Sequence, residues 1–283
     1  MTEFSIASFA LMFFFAIFAG VFGALLGLGG GIIIIPVLTI FFRVPIKEAI
    51  ATSLISVIAT STSAAVVYVD KHFSNVRLGM MLEIATTIGA LIGGTLVVYL
   101  GSNILGFLFS GILLYTAYNM TLSARAERSS NDEAYIEVPH NADDDELAKH
   151  AENGLTPYTI HNYPAGMAAS LAAGALSGLL GVGGGIIKVP VMRLVMRVPL
   201  RISIATSNFM IGVTAATGAL LYYSRGMVNP VVTAPTVLGV LLGAQVGTRL
   251  IRRIKGAALS YIFVVVMLIT AVQMILRSVH GGN

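Results

Sequence analysis

The chain has 283 residues, of which 56% are hydrophobic and only 11% charged, against about 25% charged in soluble domains. With a mean hydropathy of +0.87, so much apolar side chain exceeds what a water-soluble core of this size hides, and a soluble globular protein is excluded. The absence of cysteine excludes disulfides and thiolate chemistry. The net charge of +4 reads as Lys and Arg at helix ends rather than as a nucleic-acid surface.

In chain order, apolar spans fall near 5–26, 47–69, 78–100, 103–122, 164–181, 201–223, 229–250 and 256–277. Each is about the 20 residues that cross a bilayer. The first lacks a basic segment before it and ends in glycines rather than at a small-residue cleavage site, so it reads as a retained helix. Two shorter apolar runs, 32–42 and 186–197, follow glycine clusters and are about half a bilayer long. Between 123 and 163 lies one long polar stretch containing Asp143-Asp144-Asp145-Glu146. It reads as a solvated cytoplasmic linker, partly disordered or holding a short surface helix. The chain therefore divides into a first membrane half (1–122), the linker (123–163) and a second membrane half (164–283).

The halves repeat one another. Gly27-Leu28-Gly29-Gly30-Gly31-Ile32-Ile33 is answered by Gly181-Val182-Gly183-Gly184-Gly185-Ile186-Ile187, an offset of 154 residues (181 − 27). The same offset pairs Pro36 with Pro190, Arg43-Val44-Pro45 with Arg197-Val198-Pro199, Ala51-Thr52-Ser53 with Ala205-Thr206-Ser207, and Gly89 and Gly93 with Gly243 and Gly247. If each glycine-broken pair is a re-entrant hairpin, the three spans after it invert the second copy. The loops 70–77, 197–201 and 249–255, rich in Lys and Arg, then share the cytoplasmic side with the linker. The expected fold is an all-α polytopic membrane protein of two inverted repeats, each with a broken, re-entrant Gly-rich pair and three spanning helices.

Three adjacent glycines break a helix, and broken backbone is tolerated at membrane depth only inside protein or beside water. The helix restarting after each break exposes free N–H groups and a positive dipole end. Gly29, Gly30 and Gly31 with Gly183, Gly184 and Gly185 therefore read as a paired anion cradle, or more plainly as close helix packing. Packing is preferred for Gly20, Gly89, Gly93, Gly243 and Gly247.

Lys188, whose counterpart is Ile34, supplies a positive charge to that cradle or else snorkels to an interface. Thr52, Ser53, Thr206, Ser207 and Asn208 donate to an oxyanion or to backbone carbonyls. Glu83, whose counterpart is Val237, carries a coupling proton or lines a watery vestibule. Gln245 is open in the same way, and Thr60-Ser61-Thr62-Ser63 either lines a path or eases packing. The five histidines lie in loops or at the terminus, with no metal-ligand spacing and no embedded Ser–His pair. No catalytic residue, metal or cofactor is called for, and an enzyme has nothing to rest on.

The doubled Gly-x-Gly-Gly-Gly…Pro segments, each followed by Val-Pro and Ala-Thr-Ser, together with Gly89-Ala90-Leu91-Ile92-Gly93 and Gly243-Ala244-Gln245-Val246-Gly247, resemble the TauE/SafE family of sulfite exporters. The resemblance covers both halves but not the acidic linker. It implies a multi-pass secondary transporter of sulfite or organosulfonates in the bacterial cytoplasmic membrane, usually outward. By position, it places Gly29–Gly31, Gly183–Gly185, Thr52-Ser53 and Thr206-Ser207 around the substrate. A channel, or a carrier of another small anion, is the alternative. The expected partners are a small anion and the lipid bilayer, with a homo-oligomer open through the small-residue faces.

Overall fold

The computed structural model describes residues 5–70, 74–126, 134–137, 155–250 and 256–279. The acidic run 143–146, the basic residues Lys71, Arg252, Arg253 and Lys255, and His72, His140, His150 and His280 lie outside the described residues. Ten helices are present among the described residues: α1 (Ile6–Leu26), α2 (Gly31–Pro36), α3 (Ile46–Asp70), α4 (Val76–Leu96), α5 (Ser102–Ala126), α6 (Tyr163–Leu180), α7 (Gly185–Pro190), α8 (Leu200–Ser224), α9 (Pro230–Leu250) and α10 (Gly256–Val279). Seven of them are long and apolar enough to cross a membrane, namely α1, α3, α4, α5, α6, α8 and α9. In α10 the side chains are described from Val264 onward, and Val264–Val279 is apolar.

The repeated motifs explain their local structure. Gly27 and Gly181 end α1 and α6 in the left-handed conformation, at φ 69° and 70°, and their N–H groups donate to Gly23 O and Ser177 O. Proline lacks the N–H that an α-helix needs. After Pro36 and Pro190 the backbone accordingly widens into π-helical turns at Val37–Phe41 and Val191–Val195. The repeated Arg-Val-Pro closes these turns. Arg43 and Arg197 take positive φ of 52° and 58°, the Val44 and Val198 amides reach back to Leu38 O and Met192 O, and the prolines lead into α3 and α8.

Small residues let backbones meet. Added Cβ atoms at Gly239, Gly243 and Gly247 of α9 would strike the carbonyls of Phe13, Ile17 and Val21 on α1. Both sets ascend together, so α1 and α9 run parallel. Glycines 89 and 93 on α4, with 174 and 178 on α6, interlock in the same way, also in parallel. Each first helix thus packs on the fourth helix of the other half. Gly20 likewise faces Val240, and the packing reading of these glycines matches their surroundings.

The central pair, α3 and α8, runs antiparallel, with Leu54 beside Gly218 and Ser61 beside Gly212. Helices α5 and α10 also pair antiparallel, Gly106 lying against Ser278. One buried core, including Ile35, Leu54, Val57, Ile211, Ala215 and Tyr222, joins both halves.

The linker differs from expectation at its described points. Helix α5 continues to Ala126, and two four-residue strands, β1 (Ala134–Glu137) and β2 (Leu155–Tyr158), pair in parallel with Ala134 opposite Leu155. The segment after β2 is anchored: the His161 amide donates to Met196 O at 3.1 Å, and the Asn75 side-chain amide donates to Tyr158 Oη at 2.9 Å.

Candidate functional site

The two glycine breaks meet at the middle of the molecule. After each break the chain turns back beside the helix it has just left. Gly30 faces Ala19 O, Gly184 faces Ala173 O, and the Phe41 ring stacks on Phe15 with centroids 5.6 Å apart. Gly31 lies against Gly181 O and Gly185 against Gly27 O, each in the opposite half. Between Gly29 and Gly183 stand Val57 and Ile211, which occupy equivalent positions in the repeat.

Two hydroxyls cross-brace this junction. Ser53 donates to Gly181 O at 2.7 Å and Ser207 to Gly27 O at 3.2 Å. Each satisfies a carbonyl that the end of α6 or α1 leaves unpaired. These serines thus bond backbone carbonyls, as sequence allowed, but across the repeat rather than within their own helix. Their neighbours diverge. Thr52 pairs with Thr233 on α9 at 3.0 Å, whereas Thr206 accepts from the Asn75 amide at 3.0 Å. The Asn208 side-chain amide donates to Ala24 O at 3.3 Å, while its carbonyl oxygen is buried without a partner.

Of the other polar positions, Ser61 donates to Asn208 O. Thr60 and Thr62 bond carbonyls of their own helix, at Ser56 and Ile58. Gln245 is exposed on the outer face of α9.

The structure joins two residues that the sequence left separate. Lys188, one turn past Gly184, is fully buried, and its Nζ lies 3.4 Å from Glu83 Oε2 on α4. Thr214 of α8 bridges them, accepting from Lys188 Nζ at 2.8 Å and lying 2.6 Å from Glu83 Oε1. Thr86 donates to Glu83 Oε2 at 2.8 Å. Lys188 therefore does not snorkel to an interface. Thr86 and Thr214 were missed by sequence reasoning. The available signal was that Glu83 and Lys188 are opposite charges in apolar spans, where buried charges are expected to pair.

Two groups of residues result. Gly29–Gly31, Gly183–Gly185, Ser53 and Ser207 form the central junction. Lys188 and Glu83 form a polar cluster beside it on the second repeat's side, between α4, α7 and α8. An apolar cavity of about 300 Å³ flanks the second break, lined by Gly111, Tyr115, Ser177, Gly184 and Ile187 among others.

The chain is similar in sequence to known proteins. The family model described as sulfite exporter TauE/SafE matches residues 12–274. Among curated proteins, the chain is similar to the probable membrane transporter protein YunE of Bacillus subtilis, at 28% identity over 97% of this chain and 100% of that protein. It is also similar to the probable membrane transporter protein YdhB of the same organism, at 25% identity over 84% of this chain and 87% of that one. A third relative is the probable membrane transporter protein MJ0441 of Methanocaldococcus jannaschii, at 24% identity over 83% and 84%. No solved structure matches the chain.

Proposed function

The chain belongs to the TauE/SafE family of membrane transporters, and from that premise we propose that it is a secondary carrier exporting small sulfur oxyanions, sulfite or organosulfonates, across the bacterial cytoplasmic membrane. The observation that carries this reading is the meeting of the two glycine breaks at the centre of the fold, with a buried lysine one turn away. The first amides of α2 and α7 have no partner inside their own helices. When the junction loosens, they and the hydroxyls of Ser53 and Ser207 become donors for an oxyanion. Thr52, Thr206 and Asn208 stand in the same turns, and Lys188 supplies the compensating charge.

The two repeats lie inverted in the bilayer, with α2 and α7 re-entrant. Supporting this, α1 and α3 both run parallel to α9, α1 through Phe13–Gly239 and Ile17–Gly243, and α3 through Thr52–Thr233 and, further along both helices, Ala64 and Ala244 in one buried cluster. Helices α6 and α8 both run parallel to α4, through Thr86–Gly174, Ala90–Gly178, Gly79–Phe209 and Glu83–Thr214. Because α3 opposes α8, equivalent helices point opposite ways. Inverted repeats give a carrier two related conformations open to opposite sides. Val57 and Ile211, packed between the glycines, favour a carrier over an open pore.

The test is uptake of labelled sulfite into proteoliposomes, with methanesulfonate and sulfate as competitors. Saturable uptake that accelerates when the opposite face holds unlabelled sulfite is expected for the carrier, and its loss in Lys188→Met is expected for the site. Folded protein that moves no sulfur oxyanion overturns the substrate. Non-saturating flux without counter-exchange overturns the carrier.

A further inference from the structure

We propose that Glu83 and Lys188 form a proton-gated site for a single monovalent oxyanion: a proton on Glu83 frees the Lys188 ammonium to hold the anion, so that one proton and one anion occupy the protein together. This rests on the anion-carrier reading above and specifies its coupling and the charge of its substrate.

Four observations converge. The pair is buried and at 3.4 Å, so the carboxylate holds the ammonium that an anion needs. The pair belongs to one half only. Its equivalents, Ile34 and Val237, are apolar, so the repeat architecture does not require these charges. A buried ion pair is a poor stabiliser compared with well-packed apolar residues, which leaves a functional reason for its presence. Finally, Thr214 contacts both partners. Its hydroxyl can stay with Lys188 when the carboxylate lets go, keeping the ammonium partly satisfied.

The neighbourhood leaves Glu83 as the proton acceptor. Lys188 is the charged group facing it. From α6 the surface toward α4 is Leu171, Gly174, Ala175 and Gly178, and from α8 it is Met210 and Thr214. Arg77, earlier on α4, and Arg193, past Pro190, form no ion pair with it among the described residues. Toward the linker side an apolar cluster of Leu78, Leu82, Ile160, Met192, Met196 and Met210 adjoins the site.

The charges balance at each step. Empty, the site holds one ammonium and one carboxylate, with no net charge. A proton from water adds to the carboxylate, the ion pair breaks, and a monoanion takes its place beside Lys188. The sum is again zero. On release the anion leaves, the carboxyl returns its proton to water, and the pair re-forms. A dianion would leave one uncompensated negative charge in the membrane interior, which is costly. The site thus selects singly charged oxyanions over sulfate.

The experiment measures ligand-induced thermal stabilisation of the detergent-solubilised full chain. The probes are methanesulfonate and nitrate, which stay singly charged throughout, with sulfate as the dianion. Since one proton accompanies each anion, the apparent Kd of the monoanions should rise with pH, by up to about tenfold per pH unit. Glu83→Gln, which keeps an amide oxygen for Lys188 and Thr214, should bind them with no pH dependence, and sulfate should bind wild type at least about tenfold more weakly.

A pH-independent wild-type Kd, a slope retained in Glu83→Gln, or sulfate bound as tightly as the monoanions overturns the proposal. If Glu83→Gln does not fold, the wild-type slope decides. Sulfite flux without the slope removes this proposal alone. The slope without sulfite flux removes the sulfite assignment alone, and no stabilisation by any anion at any pH removes both.

Discussion

At the residue scale, the decisive contacts are the ones that could strand a buried polar group. Removing one partner of a buried ion pair leaves the other uncompensated, at roughly 3–5 kcal/mol. Glu83→Ala is therefore expected to lower the melting temperature strongly, and Glu83→Ala/Lys188→Met to recover most of that loss. A double variant no more stable than the single one would mean the pair does not interact as described. The serine braces are weaker. Ser53→Ala and Ser207→Ala each leave one helix-end carbonyl unpaired and are expected to cost about 1 kcal/mol, read as two similar small melting shifts. Ser61→Ala, which unpairs Asn208 O, serves as a comparison outside the junction. The interest of these residues was legible in sequence because they repeat, or because a charge stood in an apolar span. Their partners were not, since Ser53 and Gly181 are 128 residues apart and Lys188 and Glu83 are 105 apart.

At the element scale, glycine placement governs which helices touch. An added Cβ at Gly243 would run into the carbonyl of Ile17, and no rotamer relieves a clash with backbone. Gly243→Leu is expected to separate α9 from α1 and yield aggregated protein on size-exclusion in detergent, whereas Gly111→Leu, whose Cβ meets nothing within 4 Å, is expected to elute as wild type. Gly30 is constrained differently: at φ 79° an L-residue costs roughly 1–2 kcal/mol, and its Cβ would lie 2.7 Å from Ala19 O. Gly30→Ala is thus expected to lower stability by more than either serine variant. The sequence showed glycines at intervals of four, which predicts close packing. It did not show that the partners lie in the opposite half.

At the scale of the whole molecule, the halves are interleaved rather than set side by side, with α1 on α9 and α4 on α6. This has a direct test in a chain without native cysteine. The Thr52 and Thr233 hydroxyls are 3.0 Å apart, so Thr52→Cys/Thr233→Cys is expected to form a disulfide on mild oxidation. After cleavage at a protease site introduced into the linker, the halves should then stay covalently joined until reduced. The inverted arrangement is tested by labelling in sealed vesicles. Single cysteines at Ser102 and Gly226 should react from one side, and those at Ser74 and Arg197 from the other. Reaction at Ser102 and Arg197 from one side and at Ser74 and Gly226 from the other would exclude inversion.

The sequence by itself determined that this chain lives in a membrane, where its helices break, and that it is one unit written twice. These properties are local: apolar run length, glycine and proline chemistry, and direct repetition are each contained in a stretch of chain. Only the tertiary structure decided which carbonyl each hydroxyl meets, that Glu83 and Lys188, the two buried charges among the described residues, face one another beside α8, and that the glycine breaks of the two halves brace each other. The physical reason is that a buried polar group must be satisfied, but its own sequence neighbourhood does not specify by whom. That choice is made when helices from both halves, brought close by their small residues, present their remaining donors and acceptors to one another.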